Sequence, residues 1–157
     1  MRIMTISMEC SNTDQRYMSL ATDQARMSCL NFRLGCVAVV SGKIVARGCN
    51  NYRTFSKDGM IGQTCSCHAE IDVLRKCLKQ NIKKKINLYI VRLSGADTLV
   101  CSAPCIDCFM KMKDFNMRTL IYINHDGEII KRNFDDFHTT HISSGKRALL
   151  LKRVKCI

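Results

Sequence analysis

The chain has 157 residues, of which 46% are hydrophobic and 24% charged, and these proportions indicate a single globular domain over residues 1–157. Its longest apolar runs, such as residues 36–40 and 148–151, are far too short to cross a bilayer, so we expect no membrane partner. The formal net charge of +12 predicts attraction to anions, either small nucleotides or RNA and single-stranded DNA, with a solvated basic face as the alternative.

The first third of the chain predicts a helix followed by a hairpin. Residues 14–29 are amphipathic, and four apolar side chains are spaced for one helical face: Tyr17, Leu20, Ala21 and Leu30. Residues 34–40 and 43–47 are short and β-branched, and the Ser-Gly pair between them is typical of a hairpin turn. The polar stretch 50–67 that follows is predicted to be a loop.

Two further helices are predicted to begin at chemically unusual residues. One begins near His68 and buries a stripe formed by Ile71, Leu74 and Leu78. The other begins at Pro104, which suits a first helical turn because its missing N–H has no partner there. The apolar side chains of this second helix that we expect to be buried are Ile106, Phe109 and Met110.

The remaining elements are three strands and a basic helix. Residues 86–93, 120–124 and 128–131 are predicted strands, and the Asp-Gly turn at 126–127 makes the last two antiparallel neighbours. Residues 145–154 are predicted to form a basic helix, whose face could meet a polyanion or be simply solvated. The element order predicts an α/β layered domain with a mixed sheet covered by helices.

Eleven cysteines are enough for a disulfide framework, but such a framework is typical of exported proteins. Charged side chains at Glu9, Asp14 and Arg16 interrupt the apolar core that a signal peptide requires. We therefore expect a cytoplasmic, reducing compartment in which most thiols are free or bound to metal.

Two short motifs carry the groups for chemistry: residues 68–70 read His-Ala-Glu, and residues 104–108 read Pro-Cys-Ile-Asp-Cys. Catalytic zinc sites use three protein ligands and leave the fourth position for water. We therefore predict that His68, Cys105 and Cys108 bind one Zn²⁺, while Glu70 stays outside the coordination sphere as a proton shuttle. The chain has one proline, directly before the cysteine pair, and chance gives both motifs together about 4 times in 10,000.

Other interpretations of these motifs stay open. The histidine and glutamate could be a core histidine and a carboxylate at a helix end, and the cysteine pair could be redox-active. A structural zinc would need a fourth ligand, for which Cys65, Cys67 and Cys101 are near in sequence. Cys65 and Cys67, together with Cys49 or a histidine, could also hold a second, structural metal ion.

His-x-Glu followed by Pro-Cys-x-x-Cys is the known signature of zinc nucleobase deaminases. With the hairpin and the Gly-Cys-Asn-Asn at residues 48–51, the chain resembles the zinc-dependent cytidine deaminase-like superfamily from about residue 13 to residue 131. The His-Ala-Glu form is similar to the deoxycytidylate and tRNA adenosine deaminase branches. The resemblance implies a three-layer α-β-α fold, with a mixed five-stranded sheet and helices on both faces, and a homo-oligomer.

The resemblance also implies residues that contact substrate. Asn50 falls where an asparagine contacts the sugar or base, with Asn51 as the near alternative. Ala69 corresponds to a residue whose backbone N–H meets the base edge, and Ser102 to one whose carbonyl meets the amine.

The expected reaction is zinc-dependent hydrolysis of a cytosine-type base, in a nucleoside or its monophosphate, to uracil and ammonia. One alternative is a deaminase that acts on adenosine or cytosine within tRNA or single-stranded nucleic acid, which the basic charge would favour. The other is a non-catalytic, zinc-containing module that binds nucleic acid.

Overall fold

A computed structural model describes residues 8–152. Its elements in chain order are α1 (Asn12–Arg26), β1 (Arg33–Val40), β2 (Lys43–Cys49), α2 (Ala69–Lys79), β3 (Ile86–Leu93), β4 (Leu99–Val100), α3 (Ile106–Met112), β5 (Met117–Ile123), β6 (Ile129–Asn133), a 3₁₀ turn (Phe134–Asp136) and α4 (Ser144–Leu150). The predicted order of helices and strands is confirmed, with β4 as an addition. The end of the predicted C-terminal helix, residues 153 and 154, lies outside the described residues.

The sheet is mixed, as predicted, and its main path runs β2-β1-β3-β5-β6. β3 and β5 pair in parallel, whereas the other neighbours, including the final β5–β6 hairpin, are antiparallel. The sixth strand, β4, is only two residues long and pairs with the last two residues of β3. A strand this short has no apolar periodicity, so the sequence pattern predicted five strands instead of six.

Helices cover both faces of the sheet, which confirms the three-layer arrangement. α1 packs on one face over side chains such as Val37, Tyr89 and Ile121. α2 and α3 pack on the other face, over side chains such as Leu88 and Leu120. Because both faces of the central strands are buried, their sequences are mostly apolar, with continuous apolar runs at residues 36–40 and 88–91.

Local interactions determine where the β1–β2 hairpin turns and where α1 begins and ends. Ser41 and Gly42 both have positive φ, at 50° and 75°, as a two-residue turn between twisted strands requires. α1 begins with a capping box, in which Ser11 and Asp14 each accept the other's backbone N–H. It ends at Arg26 instead of residue 29, and the Ser28 hydroxyl accepts the N–H of residue 30, so Leu30 lies beyond the helix.

Two side chains that we predicted to be buried are exposed. Leu78 is 48% exposed, because the buried stripe of α2 continues through Leu74 and Cys77. Met110 is 51% exposed, because α3 turns Phe109 and Met112 toward the core instead. Among the described residues, no helix has the length and apolar character that a bilayer crossing demands.

Candidate metal centre and active site

The N-termini of α2 and α3 lie next to each other, and the motif side chains lie at these two N-termini. His68 is the N-cap residue of α2 and Cys105 is the N-cap residue of α3, both with extended backbone. The Nδ1 atom of His68 lies 3.6 Å from Sγ of Cys105 and 3.4 Å from Sγ of Cys108. The i, i+3 spacing therefore places both sulfurs on the same side of α3, facing the imidazole.

Pro104 differs from the prediction, since it precedes the N-cap instead of opening the first turn of α3. The N–H of Ile106, the first helical residue, donates to the carbonyl of His141 at 2.8 Å. The first N–H of α3 is therefore present and paired, whereas a proline at this first helical position would have no N–H to donate. The distant segment around His141 is therefore attached at the entrance of the metal site.

The cluster fits a zinc ion by its donor chemistry. One imidazole nitrogen and two sulfurs all lie within 4.8 Å of one another, and Cys105 and Cys108 are almost fully buried. A hydrogen bond from the Cys108 thiol, together with His68, lowers the pKa of Cys105 to about 4, so this sulfur is a thiolate at neutral pH. Imidazole plus thiolate is a donor set that Zn²⁺ prefers, and three protein ligands are typical of a catalytic site.

Within residues 8–152, no other group of three or more potential ligands comes together, and no fourth cysteine or histidine joins this one. The thiol of Cys65 instead donates to the carbonyl of Gly145, and that of Cys67 to the carbonyl of His68. The geometry of this part of the chain therefore favours an open, three-ligand site over a closed structural one.

Glu70 lies beside the cluster, in the first turn of α2, and is only 2% exposed. Burial raises the pKa of its carboxyl, while the nearby His68 opposes this shift. Its Oε1 atom is buried and has no hydrogen-bond partner in the protein. A buried carboxylate oxygen without a partner is unfavourable in a folded protein, and such an atom indicates a site for an additional molecule, here water or substrate.

A pocket of about 350 Å³ opens onto this group, a volume within the range of small-molecule sites. His68, Cys105 and Glu70 line it together with Asn50 and Ser102, both of which we predicted to contact substrate. The structure thus brings the metal-binding motif, the free acid and two of the predicted substrate residues to one cavity.

The predicted substrate residues differ in how their side chains are used. Asn50 accepts the N–H of Leu34 at Oδ1 and donates from Nδ2 to the carbonyl of Phe32, so its amide holds the pocket wall. The hydroxyl of Ser102 bonds to the backbone of β3 and β5. Ala69 is fully buried as the first residue of α2, where a backbone N–H has no partner within the helix.

Asn51, the alternative to Asn50, forms an isolated bridge with Cys67 through two backbone hydrogen bonds of 3.0 and 2.9 Å. It ties the loop before α2 to the end of the hairpin. The roles of Asn50, Ala69 and Ser102 toward substrate stay predictions.

Sequence reasoning missed several residues that line the pocket, among them Phe32 and Arg92. Phe32 looked like an unremarkable loop residue. Arg92 left a visible signal, since it is the one charged residue in the otherwise uncharged strand β3.

The chain matches the family described as the cytidine and deoxycytidylate deaminase zinc-binding region over residues 11–124. A search of curated protein sequences gives no significant match. Among solved structures, the dCMP deaminase of cyanophage S-TIM5, solved with dCMP and dUMP, is 20% identical with a TM-score of 0.58, over 75% of this chain and 85% of that one.

Cytidine deaminase from Burkholderia pseudomallei is 18% identical with a TM-score of 0.61, over 85% of this chain and all of that one. Cytidine deaminase from Mycobacterium tuberculosis is also 18% identical, with a TM-score of 0.52, over 82% of this chain and 96% of that one. These structures share the fold, and the family match covers both motifs, the β1–β2 hairpin and every strand of the sheet before β6. The chain therefore belongs to the zinc-binding cytidine and deoxycytidylate deaminase family and is, by class, a hydrolytic nucleobase deaminase.

Proposed function

We propose that the protein removes the exocyclic amine of a cytosine base in a free nucleoside or nucleotide, with water as the second substrate and ammonia and uracil as products. The observation that carries this proposal is one cavity lined by Glu70, whose carboxylate has an unpartnered oxygen, and by His68 and Cys105 of the metal-binding cluster that Cys108 completes. A metal-binding trio and a free acid on adjacent helix starts supply what hydrolysis of an amidine-type carbon requires.

His68, Cys105 and Cys108 would hold the zinc ion, which lowers the pKa of water to about 7 when bound. Glu70 does the proton transfer. Its Oε1 accepts a proton from the attacking water and passes it to the ring nitrogen next to C4, and a second proton follows to the departing amine. The oxygen of one water thus becomes the new carbonyl oxygen of the uracil base, its two protons go to the ring nitrogen and the ammonia, and the carboxylate is regenerated.

Three further residues, Ala69, Ser102 and Asn50, have an orienting function in this proposal. We propose that the backbone N–H of Ala69 and the carbonyl of Ser102 recognise the polar edge of the base, since Ala69 is the first residue of α2, next to His68, and Ser102 lines the pocket. Asn50 acts indirectly, because its amide is already engaged by Phe32 and Leu34 and fixes that segment of the wall.

The decisive measurement is ammonia release by zinc-loaded protein from cytidine, deoxycytidine, their monophosphates and adenosine. We expect turnover of at least one cytosine compound and none of adenosine. Turnover of adenosine alone, or of no small compound at all, would overturn the proposal.

A second candidate is deamination of a base within RNA or single-stranded DNA, and the net charge of +12 is the observation that favours it. It predicts activity only on tRNA or an oligonucleotide, with an apparent affinity that falls steeply with salt. Salt-sensitive binding without any turnover would instead support a non-catalytic nucleic-acid module. We rank the small-substrate reaction first, since His68 and Cys105 of the metal cluster line a cavity whose volume is within the range of small-molecule sites.

A further inference from the structure

Strand β3 carries a charge where its pattern predicts an apolar side chain. Ile86, Leu88 and Ile90 alternate along the strand, are at most 1% exposed and pack on the α2 and α3 face of the sheet. The next residue on that face is Arg92, two positions and about 7 Å further along the strand. Departures from such a pattern concentrate at functional sites, because stability alone would favour a fourth aliphatic residue.

Arg92 has no acidic partner in the described part of the chain, although its Nε atom is buried and unbonded. Its guanidinium lies over the ring of Phe32, with Cζ 4.5 Å from the ring centroid. Arg33 provides a contrast, since its guanidinium bonds to the carboxylate of Asp97 and to the carbonyl of Ser94. Of these two arginines, only Arg92 lines the pocket.

Phe32 is itself held in place, so the guanidinium rests on a fixed support. Asn50 donates to the carbonyl of Phe32 at 2.8 Å and accepts the N–H of Leu34 at 2.9 Å. Leu34 pairs directly with Arg92 in the β1–β3 ladder. A planar cation that is stacked, oriented and short of acceptors is well prepared to bind a doubly charged anion through two parallel hydrogen bonds.

Among the described residues that line the pocket, Arg92 is the sole lysine or arginine. His68 and Cys105 of the metal cluster line the same pocket with Glu70, and a nucleoside monophosphate carries its base and its phosphate at opposite ends of the sugar. We propose that Arg92 binds the 5′-phosphate of the substrate, so that the enzyme prefers a cytosine nucleoside monophosphate to the corresponding nucleoside. This inference rests on the proposed function and specifies its substrate class.

The test compares Arg92→Gln with the wild type on deoxycytidine monophosphate and on deoxycytidine. We expect kcat/KM for the monophosphate to fall about 30- to 100-fold, as loss of a charge-assisted hydrogen bond produces, while kcat/KM for the nucleoside changes less than threefold. Arg92→Lys keeps the charge without the planar fork and should recover part of the preference. Arg33→Gln is the matched control, with the same charge change outside the pocket, and should leave both substrates unchanged.

Binding of the products gives a readout that does not depend on turnover. Calorimetry with metal-free protein should show deoxyuridine monophosphate binding more tightly than deoxyuridine, and Arg92→Gln should abolish the difference. If the wild type deaminates both substrates equally well, or if Arg92→Gln slows both equally, the guanidinium only supports Phe32 and the inference is wrong. If the wild type deaminates neither, the proposed function itself fails.

Discussion

Glu70 combines two properties that oppose each other in a folded protein: it is an ionisable group, and it is almost completely buried with one oxygen unbonded. An unsatisfied buried acceptor costs about 1–3 kcal/mol. Nothing in the packing of α2 requires a carboxylate here, since the neighbouring buried side chains of that helix are mostly apolar. The free-energy cost fits the proton transfer that we propose for Glu70.

We predict that Glu70→Gln lowers kcat by about 10²- to 10⁴-fold, because an amide of the same shape cannot accept and return a proton. Zinc content should stay at one ion per chain, since none of the three ligand atoms changes. Metal analysis alongside ammonia release checks both statements. Glu128→Gln, in the exposed β5–β6 turn, is the control and should keep wild-type turnover, whereas comparable turnover in zinc-replete Glu70→Gln would refute the role.

The metal-binding trio and Glu70 were predictable because rare residue types stand at fixed short spacings, and local helix geometry turns these spacings into a shared face. The pocket wall formed by Phe32, Asn50 and Arg92 was not predictable in the same way. Residues 32, 50 and 92 come together only through the pairing of β1 with β3 and the amide contacts of Asn50. No local pattern encodes such a contact, because it depends on the register between two strands.

At the scale of elements, the contact between α1 and the sheet depends on one glycine. Gly35 lies in β1, and a Cβ atom built there would come within 1.9 Å of the Ala21 carbonyl oxygen and 2.4 Å of the Ala25 nitrogen. Both neighbours are backbone atoms of α1, which cannot rotate away. Gly35 thus permits the close approach that buries Ala21 and Ala25.

We therefore predict that Gly35→Ala destabilises the protein by about 2–3 kcal/mol, because α1 must shift away from the sheet. Urea unfolding measures the change in the free energy of unfolding. Gly95→Ala is the control: a Cβ at Gly95 meets nothing within 4 Å and its φ is not positive, so the substitution should be nearly neutral. An equal effect of the two substitutions would show that the close approach does not limit stability.

The sequence predicted which segments are helices or strands more reliably than it predicted where they end and which of their side chains are buried. The β5–β6 hairpin was predictable from its Asp-Gly turn, in which Gly127 has a φ of 80°. The exposure of Leu78 and Met110 was not, because apolar spacing alone does not reveal where a helix loses contact with the sheet. Tertiary packing decides these boundaries.

For the molecule as a whole, the formal charge of +12 means that its buried carboxylates matter for stability, since they offset repulsion among many cations. Asp14 is the clearest case, at 4% exposure. It accepts hydrogen bonds from the hydroxyl of Tyr89 at 2.6 Å, from the Lys131 ammonium at 2.9 Å and from the N–H of Ser11 at 2.9 Å. These contacts join α1 to β3 and β6.

Burial alone would raise the pKa of Asp14, but the hydrogen bonds from Tyr89, Lys131 and Ser11 outweigh it and lower the pKa from 3.8 to about 2. The folded state therefore binds fewer protons at Asp14 than the unfolded chain between pH 2 and pH 4. Its contribution, about 2 kcal/mol, is complete above about pH 5 and is lost as the pH falls through the folded pKa. Cys10, whose pKa is raised by burial and by Asp14, titrates far above this window and does not interfere.

We predict that Asp14→Asn lowers the free energy of unfolding at pH 6 and that this difference from the wild type narrows steadily down to pH 2. Urea unfolding of both proteins at each pH gives the difference directly, and any loss of zinc in acid cancels because both proteins keep the same ligands. Asp126→Asn, in the exposed β5–β6 turn, should show no such pH dependence. A penalty for Asp14→Asn that stays constant with pH would mean that Asp14 acts by packing and hydrogen-bond geometry, and that its charge contributes nothing.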